Sequence, residues 1–480
     1  MSDQQKKRIL ISCAVIVVVS CICVGLVLGI GAGAALIWPI KPEGSSEQLT
    51  PIAATESSVE TDITEVPESE NEPANGSADE ITEELPEEWA EILDEIELQV
   101  TQVRGLEASS PVDRELISPD DLEVIVAEDF FSEYTQQDAY QDVVILSTLG
   151  LLPDDFDLLG FYNLLYSEQI AGFYDDEIEK IFVVKGSELT GSEKMTYAHE
   201  FTHVLQDQVY DLSEGLGLNE DDCEADSEKC AAVQALIEGD ATQSELLWFQ
   251  TYASRQDYLD LLKFYDSLES PALDSAPPYM SADLYFPYEK GLTFVEYLYD
   301  QGGFDAIDEA YLNPPVSTEQ ILHPERYPDD VPVVVTLPEL RETLNQGWTL
   351  LDQNVMGEWY TYLILGKSHE STEMISDDTA LDAAEGWGGD AYAFYLNDDT
   401  DEVVFILDTV WDTPEDAEDF VEAFYQYASG RWSSLSVTLS DARLWKSTDG
   451  FIGFWHEGDR TIWVMAPDQT LLSDLLSELQ

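Results

Sequence analysis

The chain has 480 residues, of which 99 are Asp or Glu and 20 are Lys or Arg, so its formal net charge is −79 at pH 7. This charge argues against nucleic acid as a partner, because phosphate backbones are bound by basic surfaces. It is typical of a heavily solvated surface suited to salty surroundings. Hydrophobic residues still make up 44% of the chain, which is enough to build folded cores.

An uncharged apolar segment occupies residues 9–38, directly after Lys6, Lys7 and Arg8. It exceeds the roughly 20 residues that a helix needs to cross a bilayer. Basic residues before the segment and acidic sequence after it favour an N-terminus in the cytoplasm. The sequence therefore predicts a cytoplasmic tail (1–8), a transmembrane anchor (9–38) and a single-pass cell-membrane protein whose remaining residues lie outside the cytoplasm.

Two other readings of this segment also export the rest of the chain. One is a cleaved signal peptide, whose apolar core is normally shorter. The other is a lipoprotein, since Val18, Val19 and Ser20 before Cys21 loosely fit a lipid-attachment site. The apolar run continues past Cys21 without a small-x-small cleavage site, which favours the uncleaved anchor.

Residues 39–86 are rich in Glu, Ser, Thr and Pro and lack apolar periodicity, which predicts a disordered acidic stalk. Two domains are expected after it, at residues 87–365 and 366–480, because the composition shifts near residue 365. Cys223 and Cys230 are the only cysteines after the anchor. In an oxidising compartment we expect them to form a disulfide.

The most informative motif is H-E-x-x-H, to which His199, Glu200 and His203 contribute the named positions. Residues at i and i+4 lie on one helix face, so both imidazoles can bind one metal ion. The glutamate between them can then contact a metal-bound water. The alternative is a buried helix with two hydrogen-bonded histidines and a solvated glutamate.

The sequence around the motif predicts how it is held. Two short strands, at residues 172–174 and 180–184, flank an acidic turn. Thr190 and Glu193 then form a capping-box pattern that begins the motif helix. Further helices are expected near residues 89–100, 122–134, 138–149, 229–252, 258–268, 288–301 and 304–312. After the composition shift, strands are expected near residues 391–395, 403–407, 434–439, 451–455 and 461–465, with helices at 415–428 and 469–479.

Two histidines make an incomplete site, because a catalytic zinc usually has three protein ligands and an open position. Glu238, on the predicted helix 229–252, is the best third ligand. Spacing alone leaves Asp240 and Glu245 as alternatives. No His-x-x-Gly-x-x-His extension follows His203, which argues against a site of three histidines.

The pairing of the motif with a downstream Glu238-Gly239 resembles the gluzincin metallopeptidases. Tyr288, Lys290 and Gly291 resemble the Tyr-x-Lys-Gly segment of aminopeptidase N-type gluzincins. A closer likeness is to uncharacterised, membrane-anchored bacterial H-E-x-x-H proteins with a Glu-Gly-Asp-Ala segment. The resemblance implies Zn²⁺ bound by His199, His203 and Glu238.

Roles for other residues follow from the same resemblance and from the chemistry of metal-activated water. Glu200 is expected to take a proton from the water and later deliver it to the leaving amine. In aminopeptidase N relatives the tyrosine hydroxyl helps to stabilise the oxyanion, which implies that role for Tyr288; the alternative is a core tyrosine. His323, in a proline-bounded turn, could donate to the oxyanion or hold a substrate carbonyl; the alternative is a capping or core histidine.

The sequence thus predicts an α+β protein: a mainly helical, zincin-like catalytic domain with a short β-hairpin or sheet, followed by a small α+β domain. The predicted function is a membrane-anchored, extracytoplasmic zinc peptidase acting on peptides or proteins. The alternative is a non-catalytic exported surface protein, whose zinc is structural and which binds a protein or a cell-wall component. The oligomeric state stays open.

Overall fold

The structure is a computed structural model. It describes residues 85–118, 121–122, 125, 134–169, 172–176, 178–184, 188–268, 270–344, 346–439 and 441–480. The predicted tail and anchor, and the stalk up to residue 84, lie outside the described residues. So does most of the helix expected near residues 122–134. Within the described ranges, no helix combines the length and the apolar character that a membrane span requires.

The fold class is α+β, as predicted. The first part of the chain is mainly helical and contains three strands. Its elements are α1 (Glu87–Arg104), β1 (Asp113–Ile117), α2 (Gln136–Leu149), α3 (Leu158–Gln169), β2 (Gly172–Asp175), β3 (Lys180–Val184), α4 (Gly191–Tyr210), α5 (Glu220–Ala225), α6 (Ser227–Tyr252), α7 (Arg255–Ser267), α8 (Pro271–Ser275), α9 (Pro278–Gly302), α10 (Phe304–Leu312) and α11 (Thr318–Leu322).

The second part is built on strands. Its elements are α12 (Arg341–Leu344), β4 (Trp348–Asn354), α13 (Gly357–Gly366), α14 (Asp377–Ala384), β5 (Trp387–Asn397), β6 (Val403–Trp411), α15 (Pro414–Arg431), β7 (Ser433–Leu439), β8 (Ala442–Lys446), β9 (Phe451–Glu457), β10 (Arg460–Ala466) and α16 (Gln469–Leu479).

The predicted hairpin before the motif helix is confirmed. β2 and β3 pair antiparallel, and β1 adds to β3 in parallel, so β2 is an edge strand of the sheet β1-β3-β2. The capping box is also present, because the backbone N–H of Thr190 donates to Glu193 Oε2 at 3.0 Å. These local interactions begin α4 at Gly191, directly after the sheet.

A close crossing of α6 and α9 organises the helical part. A Cβ atom on Gly291 would lie 2.0 Å from the carbonyl oxygen of Ala235, and one on Gly239 would lie 2.3 Å from the Gly291 carbonyl. Each glycine therefore allows the other helix's backbone to approach. Contrary to the prediction of a start near Tyr288, α9 begins at Pro278 and continues through Pro287. Buried apolar residues on both sides of that proline hold the helix together, although proline removes a backbone donor.

The second part forms an antiparallel sheet of seven strands, in the order β4-β5-β6-β10-β9-β8-β7. All five strands expected here are present, and so are the helices α15 and α16. β4 and β8 were not predicted from the sequence. β4 is an edge strand with mostly half-buried or exposed side chains, and β8 has only five residues, so neither shows strong apolar alternation. β4 precedes residue 366 and pairs with β5.

Hydrophobic packing connects the two parts. One cluster of buried residues runs from α6 and α9 to the sheet, and includes Leu236, Phe294, Phe394 and Trp463. A second cluster packs α4 against α1, β1–β3 and the end of α6. A third lies between the sheet, α12 and α16. The predicted disulfide between Cys223 and Cys230 joins α5 to the start of α6.

Glu228 links three helices near the start of α6. It is 4% exposed and accepts hydrogen bonds from the backbone N–H and the hydroxyl of Thr318, at 2.6 and 2.7 Å. Its carboxyl group also occupies the space where a Cβ on Gly357 would lie, and Gly357 has a φ of +76°. Burial raises the pKa of Glu228 to about 8, although the Thr318 hydrogen bonds oppose that shift.

We expect Gly291→Ala to destabilise the protein by about 2–3 kcal/mol, because the new methyl group meets backbone rather than a mobile side chain. Gly302→Ala, in the same helix, is the control, since its Cβ would meet only the Ala306 Cβ, at 3.1 Å. Urea unfolding measures both. Equal free energies of unfolding for the two variants would contradict the close-contact explanation.

The pH dependence of stability tests the buried carboxyl of Glu228. The pKa of Glu228 is about 8 in the folded chain against an ordinary value of 4.5, so between these values the folded state holds a proton that the unfolded state has released. Its contribution to stability is therefore complete below about pH 4.5 and is lost as the pH rises through about 8.

In Glu228→Gln this loss is absent, and the amide oxygen still accepts from Thr318. We expect the variant to gain roughly 1–3 kcal/mol over the parent between pH 5 and pH 8, since one unit of pKa corresponds to about 1.4 kcal/mol. Exposed Glu418→Gln on α15 is the control. Parallel stability–pH curves for parent and Glu228→Gln would refute a protonated Glu228.

Candidate metal centre

The motif helix α4 is buried over its middle turns, and His199 and His203 lie on one face of it. Their ring centroids are 4.7 Å apart. Glu238 reaches both rings from α6: its Oε2 lies 3.2 Å from His199 Nε2 and 3.5 Å from His203 Nε2. The three side chains are 5% exposed or less. Their candidate ligand atoms all lie within 4.8 Å of one another, as one metal ion requires.

The structure distinguishes the three acids that the sequence left open. Glu238 is the one that faces both Nε2 atoms. Asp240 points instead to Arg104, whose Nε lies 2.7 Å from Asp240 Oδ1. Glu245 lies on the far side of His199, with Oε2 3.3 Å from Nδ1. Glu238 is therefore the third ligand candidate, and the other two acids surround the site.

A hydrogen-bond chain defines the tautomer of His203. Gln206 donates through Nε2 to the Ile237 carbonyl and to Asp240, both at 3.0 Å. A carbonyl can only accept, so the amide orientation follows and Gln206 Oε1 must accept from His203 Nδ1, at 2.8 Å. The neutral His203 ring then directs the lone pair of Nε2 at the Glu238 carboxylate.

A lone pair facing a buried carboxylate oxygen is repulsive unless a cation or a proton lies between them. Burial lowers the pKa of the His203 imidazole, but Glu238 outweighs burial and raises that pKa above its ordinary value. Burial likewise raises the pKa of Glu238, but the two imidazoles outweigh it and lower the pKa to about 2. The site thus favours positive charge between the rings and the carboxylate, and two nitrogens with one oxygen are a ligand set that zinc accepts.

His199 has its own carboxylate partner. Glu245 faces its Nδ1, and a carboxylate behind a metal-binding imidazole orients the ring and increases its basicity. Burial lowers the pKa of the His199 imidazole, but Glu245 and Glu238 outweigh burial and raise that pKa well above its ordinary value. Burial raises the pKa of Glu245 to about 7, although His199 opposes that shift.

The support for Gln206 extends to the first helix of the described chain. Asp240 accepts from Gln206 and from the Tyr311 hydroxyl, the latter at 2.9 Å. Arg104, the last residue of α1, is fully buried and pairs with Asp240 and, at 2.7 Å, with Asp308. Neither Gln206 nor Arg104 is predicted from the sequence to support the site. For Gln206, the one local sign in the sequence is its position one helical turn after His203. Nothing in the sequence around Arg104 indicates that it supports this site.

Glu200 is fully buried, and its Oε2 accepts from the backbone N–H of Tyr174 at 3.0 Å. Tyr174 lies in the edge strand β2. Because β3 occupies one side of β2, this N–H points to the other side, toward α4. The edge of the sheet therefore passes beside the glutamate of the motif.

The structure places Tyr288 next to the histidines. Its side chain is fully buried, and its ring centroid lies 6.4 Å from that of His199. The crossing of α6 and α9 at Gly239 and Gly291 explains this position, since Tyr288 lies one turn before Gly291 on α9. The two short segments that carry the resemblance thus meet in space.

His323 has a different partner. Its Nε2 lies 2.9 Å from Glu358 Oε1, on α13. Glu358 is 2% exposed, and its hydrogen bond outweighs the effect of burial, so the pKa of His323 is raised. The structure thus gives His323 a carboxylate partner outside the group formed by His199, His203 and Glu238.

The second part of the chain is similar to a known protein family. Residues 347–476 match a family described as a domain of unknown function, DUF8575. The match begins just before β4 and ends within α16, so it includes the seven-stranded sheet but not the histidine motif. No curated protein and no solved structure matches the chain.

If His203 binds a metal, loss of its Gln206 partner should weaken binding. We expect Gln206→Ala to lower zinc affinity about 10–100-fold, the usual effect of removing a partner of a ligand. Competition with a chromogenic chelator measures the affinity. Gln208→Ala is the control, because Gln208 lies on the same helix and its side-chain hydrogen bonds, among the described residues, are to Ser109 and Ser110. Unchanged affinity in Gln206→Ala would contradict the assignment.

Proposed function

We propose that this chain is a zinc-dependent peptidase with a zincin-like centre, in which His199, His203 and Glu238 hold the metal. The observation that carries the proposal is the convergence of both Nε2 atoms on one buried Glu238 oxygen, with Glu200 between the two histidines on the same helix. Zinc held by these three residues would supply a Lewis acid and a bound water with a pKa of about 7.

Glu200 is the proton carrier in this proposal. The Tyr174 N–H holds one carboxylate oxygen, so the side chain has a defined orientation, and its charge lies close enough to act on His203. We assign to its carboxylate the uptake of a proton from water and its delivery to the leaving amine. We assign to the Tyr288 hydroxyl a hydrogen bond to the developing oxyanion, and its place beside His199 supports this role.

The edge strand β2 offers a way to orient a peptide. An extended peptide that pairs with a sheet edge gains backbone hydrogen bonds, whatever its sequence. Since the Tyr174 N–H on this edge points at Glu200, a peptide bound along β2 would pass beside the motif. His199, His203 and Glu238 are buried. A substrate can therefore reach them only if the residues that pack over them move aside, and we include this opening in the proposal.

The alternative is an exported binding protein in which zinc is structural. A structural zinc site usually has four protein ligands. Among the described residues, the group around the two histidines has three members, which leaves a position for water. A structural site also has no need of Glu200. We therefore favour the enzyme, and we retain the proposal that residues 9–38 anchor it with the catalytic part outside the cytoplasm.

The decisive variant is Glu200→Gln, which keeps the shape and the acceptor oxygen for Tyr174 but cannot carry the proton. We expect zinc to stay bound and peptide hydrolysis to fall about 10²–10⁴-fold, the usual contribution of general acid–base catalysis. Metal analysis and digestion of a broad peptide library measure the two properties. Exposed Glu214→Gln, beyond the end of α4, is the control.

The results separate the two functions. Hydrolysis that persists in Glu200→Gln would refute the proposed mechanism. Stoichiometric zinc in the parent without any cleavage of the library would favour the structural alternative. A parent chain that binds no zinc would refute both, and would mean that a proton holds the histidines to Glu238.

A further inference from the structure

A second potential site lies between the helical part and the seven-stranded sheet. It is a cavity of about 290 Å³ whose walls come from α2, α3, α6, α9, α13, β4 and β5. This volume is near the lower end of the ~300–1,000 Å³ typical of small-molecule sites. The region that matches the domain of unknown function thus contributes one wall, and the helical part contributes the other.

The cavity combines aromatic walls with acidic groups. Seven of its lining residues are aromatic, among them Tyr162, Tyr279, Trp359, Tyr360 and Tyr392. Four acids also line it, namely Asp142, Glu228, Asp283 and Asp352. Its lining, as far as the structure describes it, includes no lysine, arginine or histidine. Glu228 holds a proton below about pH 8, so the negative charge of this cavity comes from its aspartates, and no basic group of the described lining compensates it.

Asp283 is the best-positioned acid. Its Oδ1 accepts from Trp359 Nε1 at 2.8 Å, and its Oδ2 accepts from the Tyr360 hydroxyl at 2.7 Å. Both donors are neutral, so they orient the carboxylate without compensating its charge. Burial raises the pKa of Asp283, although these two hydrogen bonds oppose the shift. A cation in the cavity would compensate this charge directly.

Gln234 provides an independent sign of a ligand. It lies on α6, is only 4% exposed and lines the cavity. Within the part of the chain that the structure describes, its side-chain amide makes no hydrogen bond. The amide atoms are not sealed inside the protein, so they are reached from the cavity, and an otherwise buried amide without a protein partner is uncommon. A ligand with a polar group in the cavity would satisfy it.

We infer that this cavity binds an organic cation, an ammonium or guanidinium group on an aliphatic stem. Aromatic faces attract such cations, and the stem packs against apolar walls. A bare metal ion fits less well, because it needs several oxygens at one point. The described acids of this cavity do not come together in that way, unlike the ligands of the metal centre.

The cation has two possible sources. Gln234 lies one helical turn before Glu238 on α6, and Pro287 of the cavity directly precedes Tyr288 on α9. A lysine or arginine side chain of a peptide at the metal centre could therefore enter the cavity; this source rests on the proposed function. The other source is a free aliphatic amine or guanidine, which is independent of that function.

Calorimetry with n-butylguanidinium chloride, and with 1-pentanol as the uncharged comparison, tests the inference on the full chain. We expect the cation to bind at least about tenfold more tightly than the alcohol, because a hydrogen bond to a charged group is worth more than a neutral one. Equal affinities for the two, or no saturable binding of the cation, would overturn the inference.

Two variants locate the binding site. Asp283→Asn should weaken binding of butylguanidinium at least about tenfold, and Gln234→Met several-fold. Gln234→Met removes only an unpaired amide, so it should fold even if Asp283→Asn does not. Asp266→Asn, an exposed acid on α7, makes the same charge change away from the cavity and should bind like the parent. Unchanged affinity in both cavity variants would overturn the inference.

A peptide arm distinguishes the sources. In the Glu200→Gln chain, an acetylated tripeptide amide with a central arginine is added as a competitor, and its norleucine analogue is the control. Competition by the arginine peptide that is lost when a chelator removes zinc supports a substrate side chain held at the metal centre. Competition that is the same with and without zinc, or no competition, supports a free amine. Binding of butylguanidinium does not depend on peptide cleavage, so it can be observed even if the chain is not a peptidase. Failure of the cavity proposal can therefore be told apart from failure of the proposed function.

Discussion

The contact of one Glu238 oxygen with two imidazole nitrogens is the constraint on which the site depends. It brings three ionisable groups together in a place that water hardly reaches. Such a group is stable only if the charges compensate one another and the remaining donors and acceptors are satisfied. Gln206 satisfies the hydrogen-bonding needs of His203, and Glu245 faces Nδ1 of His199. To compensate the charge of the Glu238 carboxylate, a proton or a metal cation must lie between it and the two imidazoles.

The rest of the helical part supports this contact. The glycines of α6 and α9 let the two helices touch, and that crossing places Tyr288 beside His199. Arg104 compensates the charge of Asp240, which in turn orients Gln206. Arg104, at the end of α1, is thus connected to His203 on α4 through Asp240 and Gln206. Removing it would leave the buried carboxylate of Asp240 without a positive charge beside it, although Gln206 and Tyr311 would still donate to it.

The candidate metal centre and the cavity beside the seven-stranded sheet use the same two helices, α6 and α9. α6 carries Glu238 toward the histidines and Gln234 toward the cavity, and α9 carries Tyr288 and Asp283 in the same way. The seven-stranded sheet closes the cavity with β4 and β5. It supplies acidic and aromatic side chains, such as Asp352 and Tyr392, to the lining of the cavity.

Local patterns in the sequence determined much of this protein. The capping box, the hairpin, the motif spacing and the disulfide depend on residues close in the chain, so they could be predicted, and so could most helices and strands. Tertiary structure alone decided which acid on α6 faces the histidines, because Glu238, Asp240 and Glu245 share one helix and their partners come from elsewhere. It also decided the partner of His323, the start of α9 before Pro287 and the pairing of β4. In each case the deciding contact joins residues far apart in the chain, and helical or strand periodicity carries no information about such partners.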